Sequence, residues 1–441
     1  MPQSDPKPRL ALAACLALLL PLKAQTEAFR TFEGHGGPVM DVAISEDGAT
    51  LLTASFDYAV GLWPVGDDAA PVWLDGHRAA VNDVVFLADD RAASGGDDFA
   101  VILWNLADGT AERQFNGHQG KVTAVAPHPG GQTLASASWD GTIRLWDLTS
   151  GDNTVLSGHD SGVNDIIWTA DGYLISAGAD GAVYLWDTAS DAPTRTLAEH
   201  GFGVNRLTLG PGWLAYGAVD GGTRILDLAT GEELADLTLE RRPILSMALS
   251  RDGQHLAVGD GEGYIMVVDT ADWTITRDFR AAVNGPIWAL AFTAEGGLIA
   301  GGIADEAYLW PLDGEETLPA MAEAPRAFHT DPNEVSNGER QFLRKCSICH
   351  TLGPDGERRA GPTLYGVFGR RAGELDGYAY SDALTGSDLV WGEDTIDQLF
   401  DVGPDVLTPG SKMPMQQIAS PQDRADLVAF LKERTAPADA K

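Results

Sequence analysis

The sequence predicts a multidomain chain, an all-β ring of seven repeats followed by a small all-α domain. Three observations carry this reading. A motif recurs about every 41 residues through most of the chain. Glycine makes up 51 of 441 residues, against a usual share of about 7%, and with 12 tryptophans this suits short strands and tight turns better than a helical bundle. After residue 333 the repeat is gone and apolar residues fall at helical spacing. A chain of this length has room for roughly two to four domains.

The chain begins with Lys7 and Arg9, an apolar run from Leu10 to Leu22, and then Lys23-Ala24-Gln25. This is the pattern of a secretory signal peptide over residues 1–24, cleaved near Ala24, and it predicts a periplasmic location. The run is shorter than the roughly 20 residues of a transmembrane helix, so no stable membrane insertion is expected. Cys15 lies inside the run and is read as part of its filling. The other cysteines, Cys346 and Cys349, are too few for a disulfide scaffold.

Residues 25–313 read as one repeating domain. Gly-His pairs end at His35, His77, His118 and His159, and His200 follows Glu199, at spacings of 42, 41, 41 and 41. Each unit then carries an Asp and, six residues later, Trp63, Trp104, Trp146 or Trp186; Leu226, Val268 and Trp310 continue the series. Apolar and small residues alternate between these points as four short strands per unit, as in residues 133–138 and 142–146. These residues resemble WD-repeat β-propellers, in which a His, a Ser or Thr, an Asp and a Trp form a buried hydrogen-bonded tetrad that locks each blade.

The resemblance implies an all-β seven-bladed propeller. Its tetrads would be His35, Thr53, Asp57 and Trp63; His77, Ser94, Asp98 and Trp104; His118, Ser136, Asp140 and Trp146; and His159, Ser176, Asp180 and Trp186. Blade five keeps His200 and Asp220 but has Tyr216 and Leu226, while blades six and seven lack the set and must rely on apolar packing. Residues 29–32, just before the first Gly-His pair, stand where a ring-closing strand is expected. Recurrence of His and Asp in several blades argues for one architectural task repeated, not for metal binding or acid-base chemistry. Trp139, Trp168, Trp213, Trp273 and Trp288 fall outside the tetrads and are read as core or rim packing.

Residues 314–332 read as a linker, with Pro319, Pro325 and Pro332 favouring extended, partly stiff chain. Residues 333–441 then form the helical domain. Asn333 is the expected cap of a first helix running through Gly338 and Phe342 toward Cys346. Ser420-Pro421 starts a last helix with Leu427, Val428, Phe430 and Leu431 on its apolar face.

Cys346-Ser347-Ile348-Cys349-His350 is the pattern of c-type haem attachment, in which two thiols bond the porphyrin and the His binds iron. A zinc site would need further Cys or His partners, and a redox dithiol would need a βαβ setting. The stretch 361–370, then Gly377-Tyr378-Ala379-Tyr380-Ser381, Trp391 and 409–413 resemble a class I cytochrome c of the mitochondrial type. The resemblance implies a small all-α cytochrome c domain holding one covalent haem c. Cys346 and Cys349 would be the thioether anchors, with His350 and Met413 as axial ligands. Pro362 would accept the His350 ring N–H, and Arg370, Tyr380 and Trp391 would hold a propionate. Met415 is the nearest rival to Met413. Leu384 and Phe400 replace an Asn and a Tyr that the family often places near the Met ligand.

The net charge of −34 argues against nucleic acid or anionic lipid as partner. Residues 25–329 carry 15 Lys+Arg against 45 Asp+Glu, so the acidity belongs to the propeller and predicts a redox partner protein with a basic docking patch. The function expected is single-electron transfer through a His/Met-ligated haem, with the propeller as a protein-docking platform and no catalysis of its own. The alternative is a redox enzyme whose propeller is catalytic and whose cytochrome accepts the electrons.

Overall fold

The computed structural model describes residues 29–66, 69–88, 90–190, 192–239, 243–283, 285–312, 335–347, 349–354, 359–378, 380–381, 384–409, 411, 413 and 416–437. The signal segment, the linker and Met415 lie outside the described residues. Among the described residues, seven four-stranded antiparallel sheets follow one another. Blade one consists of Val39–Ile44, Thr50–Ser55, Ala59–Pro64 and Val72–Asp75. Blade seven contains Ile287–Phe292, Leu298–Gly302 and Glu306–Trp310 and takes its fourth strand, Arg30–Glu33, from the start of the domain. Phe32 pairs with Ala307 there, so the closing strand lies one residue beyond the expected position. Closure leaves no free sheet edge at the seam.

The four tetrads are assembled. In blade three, His118 Nδ1 lies 2.8 Å from Asp140 Oδ2 and Nε2 lies 2.8 Å from Ser136 Oγ, which also accepts the Trp146 indole N–H at 2.8 Å. The same three contacts recur in blades one, two and four. Each set lies within a sheet and ties its outer loop to its middle strands, so burial of these polar groups is matched by hydrogen bonding. Blade five keeps a reduced version with the ring reversed: His200 Nε2 meets Asp220 at 2.9 Å and Nδ1 meets the Tyr216 hydroxyl at 3.3 Å. In blade seven Trp310 is fully buried, but Ala300 stands where the hydroxyl would be, and its indole N–H has no partner among the described residues.

Apolar clusters fill the spaces between blades, as with Leu52, Val60 and Leu74 of blade one against Val81, Val84 and Trp104 of blade two. Trp168 and Trp213 belong to such clusters, whereas Trp139 is 56% exposed beneath Lys121. The innermost strand of every blade carries one register shift. At these bulges Asn82, Thr123, Asn164 and Asn205 reach into the next blade and donate to the carbonyls of Val122, Val163, Val204 and Ile244 at 2.7–2.9 Å. One residue further on, Asp41, Asp83 and Asp165 accept the backbone N–H groups of Val84, Val125 and Leu207, again in the next blade. Burial raises all three carboxyls despite the nearby Arg206 guanidinium, Asp165 to about 6.

The helical domain contains α1 (Asn337–Lys345), α2 (Glu393–Val402), the single turn α3 (Pro404–Leu407) and α4 (Pro421–Arg434). The cap of α1 is Ser336, not Asn333, which lies outside the described residues. The Ser336 side chain accepts the Glu339 N–H, the first half of a Ser-x-x-Glu start signal. Ser420 caps α4 by accepting from Asp423 N.

Ser136→Ala would leave two buried nitrogens, on His118 and Trp146, without a partner, an expected loss of about 2–4 kcal/mol. Tyr216→Phe, which removes one longer contact, should cost less than about 1 kcal/mol; chemical denaturation of both variants checks the contrast. Burial raises the Asp165 carboxyl to about 6 in the folded chain from an ordinary 3.8, so its contribution favours the fold below that window and is lost as pH rises through 6. Asp165→Asn should therefore flatten the pH dependence of stability. The wild-type minus variant difference should fall by on the order of 2 kcal/mol from pH 4 to pH 7, whereas a constant difference would contradict the assignment.

Candidate functional site

The Cys-x-x-Cys-His segment leaves α1 in a tight turn. Cys346 N donates to Phe342 O, and the amides of Cys349 and His350 both return to Cys346 O, at 3.0 and 2.9 Å. That turn folds both thiols and the imidazole around one cleft of about 1100 Å³, counting the space open to solvent at its mouth. Apolar side chains form most of its walls, among them Leu364, Val367, Ile396, Leu399 and Phe400.

The imidazole is fixed from behind. Its Nδ1 donates to Pro362 O at 2.7 Å, which leaves Nε2 as the nitrogen with a free lone pair. Gly361 makes this approach possible: a Cβ there would lie 2.3 Å from His350 Cε1 and 2.8 Å from Cys349 O. Burial lowers the His350 pKa, which keeps the ring neutral and able to bind metal.

Met413, Arg370, Tyr380 and Trp391 all line the same cleft, so every candidate site residue is brought to one place. Backbone bonds between Gly369 N and Trp391 O and between Trp391 N and Arg370 O set Arg370 beside Trp391. The Arg370 guanidinium also donates to Tyr365 O and Thr363 O at 3.1 and 2.9 Å, which anchors the segment that follows Pro362. Tyr380 packs edge-on against Tyr378 with ring centroids 4.8 Å apart. Leu384 and Phe400 line the cleft as well, and neither offers a hydrogen bond to a ligand there.

The chemistry of these groups favours a haem over the other uses of the motif. Burial raises the Cys346 thiol to about 12 and the Cys349 thiol to about 11, the reverse of the lowered pKa that a redox dithiol needs. Ser381 Oγ and Gln416 Oε1 line the cleft as buried atoms with no hydrogen-bond partner among the described residues. Such orphans fit an apolar group that also carries polar substituents.

Two family profiles match the chain. WD domain, G-beta repeat matches residues 27–64, 72–105, 109–147 and 151–187, the four blades with complete tetrads, and Cytochrome c matches residues 335–435. A cytochrome c of Sesamum indicum is 43% identical over 105 residues, which cover 24% of this chain and 94% of that protein. The chain belongs to the cytochrome c family. A cytochrome c of Theileria parva is 43% identical over 100 residues, 23% of this chain and 85% of its own length, and that of Chlamydomonas reinhardtii is 37% identical over 119 residues, 27% and 100%. Family membership carries electron transfer with a covalently attached haem c, and the WD-repeat ring is a platform suited to protein partners.

The helices that hold the cytochrome c domain's cleft are themselves tightly fitted. α1 crosses α4 at Gly338, where a Cβ would lie 2.1 Å from Asp426 O and 2.7 Å from Phe430 Cβ. The buried Arg424 joins α4 to α2 through Asp397 and Asp401, both at 3.0 Å. Sequence reading gave no site role to Tyr58, Tyr378, Ser381 or Gln416, all of which line the cleft. Tyr58 comes from the propeller, and its signal was an Asp57-Tyr58 pair where blades three to five have Asp-Gly.

Gly338→Ala should force the two helices apart and cost about 1–3 kcal/mol of cytochrome domain stability, with a matching loss of haem content per chain. Thermal unfolding followed at a haem band checks this, and an unchanged transition would contradict the close crossing.

Proposed function

We propose that this chain is a periplasmic monohaem electron carrier whose iron is held by His350 and Met413 and whose propeller docks a protein redox partner. The observation that carries the reading is the joint placement of both thiols, the Pro362-bound imidazole and Met413 around one apolar cleft. When bound, the haem supplies reversible one-electron chemistry, and a His/Met pair favours a relatively high potential. The chain's own residues do the rest. Cys346 and Cys349 would fix the group covalently, Pro362 orients the imidazole, Leu399 and Phe400 would exclude water, and Arg370, Tyr380 and Trp391 would hold a propionate.

The His and Asp of the four tetrads are bonded to each other, which supports an architectural role for them. Its acidity favours a partner with a basic patch, and association should weaken as salt rises. Periplasmic location rests on the sequence of residues 1–24. Among the described residues, no helix is long and apolar enough to cross a membrane.

The test is a reduced-minus-oxidised spectrum of the purified chain with a carbon monoxide challenge. The wild type should give a c-type band and refuse carbon monoxide at neutral pH, because Met413 would already hold the iron. Met413→Ala should keep the band and bind carbon monoxide, and Cys346→Ala should lose most of the covalently held haem. Carbon monoxide binding by the reduced wild type would overturn the His/Met assignment.

A further inference from the structure

Five blades close the turn after the tetrad aspartate in one way. The residue after Asp57, Asp98, Asp140, Asp180 and Asp220 donates its N–H three residues back, at 3.1–3.2 Å. It also takes a left-handed φ: 74° at Tyr58, 66° at Phe99, 83° at Gly141 and Gly181, and 92° at Gly221. Glycine suits that backbone state, whereas a bulky side chain is strained in it and persists only where something else holds it. Blades one and two nonetheless carry aromatics.

For Tyr58 the reason is its contact with the other domain. The ring is 9% exposed, packs with Cys349 and Ala360 over Phe56, and lines the cleft that holds both thiols. Phe99 has the same backbone state with its ring 45% exposed, so the turn itself does not require burial. Beside Ala360, Arg359 Nη1 donates to Gly36 O at 3.2 Å and Nη2 lies 3.7 Å from Asp305 Oδ2. One short loop of the cytochrome domain thus touches three segments of the ring.

We propose that Tyr58 is a positioning residue of the haem cleft contributed by the propeller, a wall at Cys349 that screens the bound group from water and seats the cytochrome domain on blade one. The inference rests on the haem reading of the cleft. It makes the two domains one redox unit: the propeller sets haem exposure directly, in addition to docking a partner. Solvent exposure is one of the levers on haem potential, because water stabilises the more highly charged oxidised form.

The experiment uses the full haem-loaded chain as wild type, Tyr58→Gly, Tyr58→Phe and Phe99→Gly, with the midpoint potential and the rate of haem reduction by ascorbate as readouts. Tyr58→Gly should react severalfold faster and shift to lower potential, without loss of propeller stability, since glycine fits the left-handed turn. Tyr58→Phe should restore wild-type behaviour by keeping the ring, and Phe99→Gly should leave both haem readouts at wild-type values. A loaded Tyr58→Gly chain indistinguishable from wild type, or a Phe99→Gly chain that shifts as much, overturns this inference alone. A wild-type chain without a c-type band overturns the haem reading and this inference together.

Discussion

Antiparallel pairing of Arg30–Glu33 with Glu306–Trp310 ties the two ends of the propeller together, and the features that bear on function gather at that seam. Phe32 packs there with Trp63, Ala307 and Leu309, and Val39 N donates to Ala304 O at 3.1 Å. Because closure sets blade one against blade seven, Gly36 and Asp305 stand close enough for a single arginine, Arg359, to reach both. The cytochrome domain therefore rests across the joint of the ring. A strand of four residues holds the geometry on which the cleft wall at Tyr58 depends.

Two kinds of polar bond hold the ring, and they respond oppositely to acid. Within blades, burial raises the Asp140 carboxyl, but donors from Thr142, Gln119 N–H and His118 overcome this and hold it down at about 2, while burial lowers the pKa of His118 and His159. The two histidines favour the fold above the range where a free histidine gains its proton, and the Asp140 contribution is lost only as pH falls from the ordinary carboxylate range toward 2. Between blades, the raised carboxyls of Asp41, Asp83 and Asp165 favour it as pH falls. The ring is thus balanced between locks inside its first blades and links from one blade to the next.

What the sequence made legible was whatever repeated or whatever carried rigid spacing. The tetrads could be read because the same offsets recur four times, and the haem motif because two thiols and an imidazole must share one helical turn. The links between blades were not legible, since the position that carries Asp41, Asp83 and Asp165 holds other residues, such as Ala124 and Arg206, in the remaining blades. The interdomain contact was hidden for another reason: Arg359 and Gly36 lie 323 residues apart, and no local pattern reports such a meeting. Its trace was Tyr58 where blades three to five have glycine, and the exposed Phe99 of blade two, which breaks the pattern in the same way, kept that trace from being specific. Ser336 displaced Asn333 as the cap because a Ser-x-x-Glu start lay three residues further on.

The central claim is that both thiols of the buried Cys-x-x-Cys-His turn carry one haem, and its most direct measurement is the mass of the proteolytic peptide containing Cys346–His350 from the chain produced in a host that attaches c-type haem. The account predicts a peptide heavier by one haem, with neither cysteine open to alkylation. A peptide of unmodified mass with both cysteines alkylated would contradict it.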